Sequence, residues 1–368
     1  MKRPTVLVLG PDLATIGGVQ THVEVLLGSS LHREFDLRHF EVGSAGRGEG
    51  RLGLLARLVS SPFRLATEIV RSGAAIVHVN TSFSAKAYWR DLLYVAAARL
   101  CGARVVYQVH GGRLADLQRT PAMRGVLRAT LQWPDVVVLL ARCEIEEVRE
   151  LVPQQNCVLV PNAIDCRPFE QLRRGPSQGA LRLIFMGRLV RSKGLFETVE
   201  GLAAAARAGV AARLVVAGEG PDEAALREKV CALGIESMVD FAGPAFGARK
   251  LGLYADAEVF LLPTYHREGL PYALLEAMAA GLVPVVTRVA AIPDVVAEGA
   301  QGLFVPPRDA QAIAQAIVAL AADRARLARM AAACRERAMT SYSVERLAGD
   351  FRTLYAGLCG APAPKEAH

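Results

Sequence analysis

Glu268 and Glu276 stand with seven residues between them, inside the string Arg-Glu-Gly-Leu-Pro-Tyr-Ala-Leu-Leu-Glu at 267–276. Proline is tolerated at the first helical position, where its missing N–H has no intrahelical partner to lose. The spacing therefore predicts a helix opening at Pro271, with Glu268 on the preceding loop and Glu276 inside the helix. Such a helix turns its unpaired amides and partial positive charge toward whatever the loop holds. An anion such as a phosphate suits that position. The chemistry is that of a phosphate site with a carboxylate on either side.

The two glutamates are followed by Ala277-Met278-Ala279-Ala280-Gly281 and then by the strand-like Val283-Pro284-Val285-Val286. Together these resemble the donor-site motif of retaining GT-B glycosyltransferases of the GT4 type. The resemblance implies that Glu268 meets sugar hydroxyls, that Glu276 meets the nucleotide ribose, and that Gly269, Leu270 and Pro271 bind the donor between them.

A second element is Met186-Gly-Arg-Leu-Val-Arg-Ser-Lys-Gly194, which follows an apolar run and precedes an amphipathic one. It resembles the family's Gly-Arg…Lys-Gly loop, whose cations clamp the donor diphosphate; Arg188 and Lys193 inherit that part. A nucleoside diphosphate leaving group gains negative charge as its glycosidic bond breaks. Fixed cations there stabilise the transition state more than the ground state. Lysine occurs only six times in a chain with 43 Lys and Arg, so its use at 193 carries information. Arg191 reads as solvated.

Four weaker signals point the same way. Gly17 and Gly18 follow the first apolar run and its loop, and glycine lets a backbone approach a ligand without Cβ interference. The family has a Gly-Gly loop there that approaches the donor. Gln108-Val-His-Gly-Gly-Arg113 closes the fourth strand; the resemblance sets His110 near the reacting sugar, to bind a donor hydroxyl or to position the acceptor. Gly218-Glu219-Gly220 follows a strand but lacks the rest of a dinucleotide fingerprint; the resemblance places it near the nucleotide. Pro161-Asn-Ala-Ile-Asp165 resembles the family's hinge, with alanine where glycine is usual. The sequence has no Asp-x-Asp and no cluster of His or Cys at metal-ligand spacing. No metal and no cofactor are expected, the diphosphate being neutralised by Arg188, Lys193 and helix amides.

These residues need a scaffold that presents strand ends and helix starts together. At 368 residues the chain suits two domains. Apolar runs at 6–9, 37–42, 75–79, 104–109 and 136–140 alternate with amphipathic stretches. A second series follows at 181–186, 212–217, 239–241, 259–262 and 283–287. That rhythm predicts βαβ units with parallel sheets. The expected fold is α/β, of GT-B type: two facing doubly wound Rossmann-like domains sharing one cleft at their strands' carboxyl ends. The expected boundaries are 1–165 for the N-terminal domain, 166–180 for a linker and 181–342 for the nucleotide-sugar domain. A helix at 343–359 crosses back to the N-terminal domain, and 360–368 is expected to be a disordered tail.

Composition limits the partners. Hydrophobic residues make up 52% and charged residues 21%, a soluble globular balance. No apolar run is long enough to serve as a secretory signal or to cross a bilayer, and the seven scattered cysteines suit a reducing cytosol. From Arg47 to Arg128 thirteen basic residues face four acidic ones, a local net of +9 within a chain of +7. That bias asks for an anionic partner. Nucleic acid is not expected, since the interleaved aromatics show no repeating arrangement. Arg57, Arg64 and Arg71 recur every seven residues, with Glu68 beside them and Leu54, Leu55, Leu58, Val59, Phe63, Leu65, Ile69 and Val70 placed on the opposite side. Pro62 is expected to divide this stretch into two helices. It either covers its own sheet or, together with Arg113, forms an acceptor or membrane surface on anionic lipid at the inner face of the plasma membrane.

The function these features imply is retaining, metal-independent transfer of a hexose from a UDP- or GDP-sugar to a glycan or lipid-linked acceptor in polysaccharide synthesis. A nucleotide-sugar epimerase or hydrolase would need further carboxylates and histidines. A catalytically silent binding module would have no need of the intact Arg188, Lys193, Glu268 and Glu276.

Overall fold

The computed structural model describes residues 3–15, 17–43, 51–172, 179–267 and 269–360, without the side chains of 51, 52, 54 and 55. Glu268, much of the expected linker and the expected tail beyond 360 therefore lie outside the described residues. The chain forms two units, residues 1–163 with 344–368, and residues 164–343.

In the N-terminal unit the elements are β1 (Thr5–Gly10), α1 (Gly18–Leu27), β2 (Asp36–Glu41), α2 (Arg51–Ser72), β3 (Ala74–Phe83), α3 (Ala85–Leu100), β4 (Arg104–Gly112), α4 (Leu114–Leu117), α5 (Pro121–Thr130), β5 (Val136–Leu139), α6 (Arg142–Leu151) and β6 (Cys157–Leu159). The six strands pair in parallel in the order β2-β1-β3-β4-β5-β6. Because side chains alternate across a strand, Val6 and Val8 enter one apolar cluster and Leu7 and Leu9 another. Both faces are buried, which is why these strands read as continuous apolar runs.

The C-terminal unit holds α7 (Arg167–Glu170), β7 (Leu181–Met186), α8 (Leu195–Arg207), β8 (Ala212–Ala217), α9 (Glu223–Ala232), β9 (Val239–Gly243), α10 (Gly247–Asp256), β10 (Val259–Leu262), α11 (Tyr272–Ala279), β11 (Val283–Val286), α12 (Ile292–Val295), β12 (Leu303–Phe304), α13 (Ala310–Ala322) and α14 (Arg324–Ser341). Its sheet is also parallel, in the order β12-β11-β10-β7-β8-β9. The last helix, α15 (Val344–Leu358), packs on the N-terminal sheet. Leu347, Phe351 and Tyr355 recur four residues apart on one face and are fully buried. Each such side chain contributes about 1.5–3 kcal/mol of burial.

Three expectations are corrected. α2 is one helix with Pro62 inside it rather than two; the proline forgoes only its own amide bond to the previous turn. α11 begins at Tyr272, and Pro271 is its N-cap with ψ 124°, because proline fixes φ but leaves ψ free to stay extended. The apolar side chains of α2 do not all face away from its arginines. Leu65 and Ile69 enter the core, whereas Phe63 and Val70 are 71% and 74% exposed.

Candidate functional site

In an open parallel sheet, ligands bind beyond the carboxyl ends of the strands where the strand order reverses. In the C-terminal sheet β7, β8 and β9 progress in one direction and β10, β11 and β12 in the other, so the switch lies between β7 and β10. The carboxyl end of β7 runs directly into Gly187-Arg188. That of β10 runs into residues 263–271 and α11.

These two loops are stitched together. The Ser192 carbonyl accepts from the Tyr265 amide at 2.9 Å, the His266 amide at 3.1 Å and the Thr264 hydroxyl at 3.1 Å. Lys193 closes a short 3-10 turn, and Arg188 is exposed. Arg191 is exposed, as expected, but its guanidinium lies 3.8 Å from the Phe196 ring centroid, and its amide donates to Asp222 at 2.6 Å.

The loop after β8 braces the Arg188 loop from behind. Leu189 donates to the Glu219 carbonyl at 2.8 Å, and Gly187 to that of Ala217 at 3.0 Å. Gly218 has φ +141°, and a Cβ there would overlap the Gly187 carbonyl. A Cβ on Gly220 would overlap the Leu189 carbonyl. Glycine is needed at both places because two backbones touch.

α11 has no side-chain cap at its N-terminus, so Tyr272 and Ala273 begin a helix that favours an anion. Gly269 and Leu270 lead into Pro271, with Leu270 buried. Glu276 is reached by two residues that sequence reasoning missed. Lys250 Nζ donates to its Oε1 at 2.6 Å and the Tyr254 hydroxyl to its Oε2 at 3.2 Å. Burial first, and then the Glu276 charge, push the Tyr254 phenol well above its ordinary range. The scarcity of lysine, applied above to Lys193, pointed equally to Lys250.

The N-terminal sheet switches direction between β1 and β3. Gly17 and Gly18 open α1 beyond β1. A Cβ on Gly17 would meet nothing within 4 Å. His110 lies near the carboxyl end of β4, half-buried, with Nε2 2.8 Å from Oδ1 of Asn80. His22 and His78 lie beside it, both fully buried; the His22 and His110 ring centroids are 4.6 Å apart. Burial pushes His22 down to about 4, opposed by Gln108 and reinforced by the Arg346 charge. It pushes His78 down to about 3 and His110 well below the ordinary histidine range, the neighbouring histidines adding to both. At neutral pH this is a cluster of uncharged imidazoles.

The basic segment is less free than its count suggested. Arg90 is paired with the buried Asp91, and Arg104 with Asp135. Arg57 donates to the Gly43 carbonyl at 2.5 Å, which takes it off the expected basic face. Arg64, Arg71 and Arg113 are exposed.

Residues 180–323 match the family model described as glycosyl transferases group 1, and residues 17–163 match a glycosyl transferase 4-like domain. N-acetyl-alpha-D-glucosaminyl L-malate synthase of Bacillus anthracis is 26% identical over 314 residues, 83% of this chain and 78% of that protein. GDP-mannose-dependent alpha-(1-6)-phosphatidylinositol monomannoside mannosyltransferase of Mycobacterium tuberculosis is 28% identical over 281 residues, 72% of this chain and 73% of that protein. Among solved structures, Anabaena Alr3699/HepE in complex with UDP and glucose superposes with a TM-score of 0.75 at 14% identity, covering 96% of this chain and all of that one.

Proposed function

We propose a specific reaction for this chain, starting from the fact that it belongs to the group 1 glycosyl transferases, enzymes of GT-B fold and GT4 type. It transfers a hexosyl group from a UDP- or GDP-sugar to a glycan or lipid-linked acceptor, with retention at the anomeric carbon and without a metal ion. One observation carries the reading. At the strand-order switch of the C-terminal sheet, the Arg188–Lys193 loop is hydrogen-bonded to the loop that opens α11. Cations and an uncapped helix start thus belong to one anchored unit.

The donor diphosphate sits against Arg188, Lys193 and the first amides of α11, and Glu276 accepts from the ribose hydroxyls. Glu268, by resemblance, holds the sugar hydroxyls. As the bond from the anomeric carbon to the diphosphate oxygen breaks, its electron pair stays on the leaving oxygen. The guanidinium and ammonium stabilise that charge. The acceptor oxygen bonds to the same face of the carbon, and its proton passes to the leaving phosphate. In the N-terminal unit His110 offers Nδ1 to a sugar or acceptor hydroxyl, and Gly17 leaves a backbone that a ligand can approach. The B. anthracis and M. tuberculosis relatives carry names that span amino-sugar and GDP-mannose chemistry, which supports the reaction class and leaves the donor open.

The exposed face of α2 supports peripheral association with anionic membrane at the cytoplasmic surface, where a lipid-linked acceptor would be met. No helix among the described residues is long and apolar enough to cross a membrane.

The test is nucleotide release from a panel of UDP- and GDP-sugars, with and without candidate acceptors and with EDTA. Acceptor-dependent release that survives EDTA, with a product of unchanged anomeric configuration by NMR, is expected. An inverted product, or activity restored only by a divalent ion, overturns the mechanism. Release that no acceptor stimulates favours a hydrolase.

A further inference from the structure

Glu276 is the carboxylate of the proposed donor site that lies among the described residues. Its side chain is 15% exposed and that of Lys250 28%. Lys250 and Tyr254 stand four residues apart on α10, so one helix face presents both side chains to one neighbour. Each supplies a single donor to a different carboxylate oxygen, Lys250 Nζ to Oε1 and Tyr254 Oη to Oε2. The same single hydroxyl proton is shared with the Ala273 carbonyl at 3.3 Å, so the Tyr254 hydroxyl faces the first turn of α11. Tyr254 itself is completely buried, so the clamp is anchored in the core and Lys250 is its accessible arm.

An ionised carboxylate has about two acceptor positions on each oxygen. With one position on each taken by α10, one on each remains among the described residues. Those two open positions match the two adjacent hydroxyls of a ribose. A carboxylate free to rotate would meet such a diol only after losing side-chain freedom, and holding it in advance removes that loss.

We propose that Lys250 and Tyr254 are positioning residues that hold Glu276 with one acceptor position open on each oxygen, so that it reads the paired 2′- and 3′-hydroxyls of the nucleotide. This rests on the assignment of Glu276 to the ribose. Lys250 holds the carboxylate in place and touches no reacting atom, so its loss should weaken nucleotide recognition and raise the donor KM while leaving kcat nearly unchanged.

The experiment measures binding of UDP, GDP and their 3′-deoxy analogues by calorimetry, for the whole chain and for Lys250→Met, Lys250→Arg, Tyr254→Phe and Glu276→Gln. Thermal melts confirm that each variant is folded. The parent should prefer the ribonucleotide by on the order of tenfold, the worth of one hydrogen bond to a charged group. Lys250→Met should lose most of that preference and Lys250→Arg should keep it. Tyr254→Phe adds a second arm that leaves the cation in place. If Lys250→Met keeps the full preference while Glu276→Gln loses it, the positioning claim is overturned and the ribose assignment stands. If Glu276→Gln also keeps it, the ribose assignment falls and takes this inference with it.

Discussion

His110 Nε2 lies 2.8 Å from Oδ1 of Asn80, and the amide nitrogen of that asparagine donates to the Leu9 carbonyl at 2.9 Å. The second bond fixes which way the asparagine points. Its oxygen must accept, so His110 Nε2 carries the proton and Nδ1 holds the lone pair. That Nδ1 is buried and has no hydrogen-bond partner among the described residues. A ligand hydroxyl donating to that lone pair is the role expected of His110, and the variants below test it.

Asn80→Ala should therefore reduce transfer without removing a reacting group. Loss of the tautomer-fixing bond is expected to cost on the order of tenfold in kcat/KM. His110→Ala should cost at least as much. The double variant should be no worse than His110→Ala alone, since the two residues act through one contact. Additive losses in the double-mutant cycle would show that Asn80 acts on its own.

The imidazole cluster also sets an acid limit. His22, His78 and His110 take up protons in the folded chain only well below their ordinary value of 6.5, with His22 at about 4 and His78 at about 3. The unfolded chain binds those protons first as pH falls. Stability is thus full above about 6.5 and declines below it, until the folded-state values are reached. The slope is about 1.4 kcal/mol per pH unit for each histidine. Trp89 and Trp133 are the only tryptophans, and both belong to the N-terminal unit. Urea unfolding followed by tryptophan fluorescence therefore isolates this effect. His22→Gln should flatten the dependence between pH 6.5 and 4.5 by close to one proton. An unchanged slope would rule out His22 as a contributor.

The sequence displayed strands more clearly than the site's packing. Both sheets appear as apolar runs because both of their faces are covered, so the strands announced themselves at 181–186 and 212–217. The two-residue β12 and three-residue β6 were too short to do so. The α2 face was misread for a related reason. Helical periodicity separates arginine from leucine, but Phe63 and Val70 follow Arg64 and Arg71 outward, while Leu65 and Ile69 turn into the core beside residues of α3. The Lys250–Glu276 contact joins residues 26 apart in the sequence, and only the packing of α10 on α11 reveals it.

Gly220→Ala tests whether the β8 loop sets the position of the cations. The added methyl meets the Leu189 carbonyl, which is backbone and can retreat only by shifting the loop that carries Arg188. Overpacking of this kind costs about 1–3 kcal/mol. The melt should fall, and UDP or GDP affinity should fall further than in Gly349→Ala, where an added Cβ meets nothing and the backbone is not in the left-handed region. Equal nucleotide affinity in the two variants would mean that the loop holds its place without the glycine.

The outward face of α2 makes the last prediction. Val59, Phe63 and Val70 are 57%, 71% and 74% exposed, with Arg64 and Arg71 between them. Val59, Phe63, Arg64 and Arg71, together with Phe40, Ser60 and Thr67, line a groove of about 590 Å³ in which Glu68 is the only acid among the described residues, and Val70 lies outside it. Apolar side chains flanked by guanidinium groups suit the boundary between lipid head groups and acyl chains. Each basic residue near such a surface is worth about 1 kcal/mol. Reversing Arg64 and Arg71 to Glu together with Phe63→Asp should reduce cosedimentation with vesicles containing phosphatidylserine by at least an order of magnitude. Binding of the unaltered chain should weaken as salt rises, because the attraction is screened. Vesicles of phosphatidylcholine alone should bind neither protein strongly. Arg57→Glu is the contrasting variant: its guanidinium is bonded to the Gly43 carbonyl, so its loss should lower the melting temperature and leave vesicle affinity largely intact. If the triple variant and the parent sediment equally with anionic vesicles, α2 only covers its own sheet.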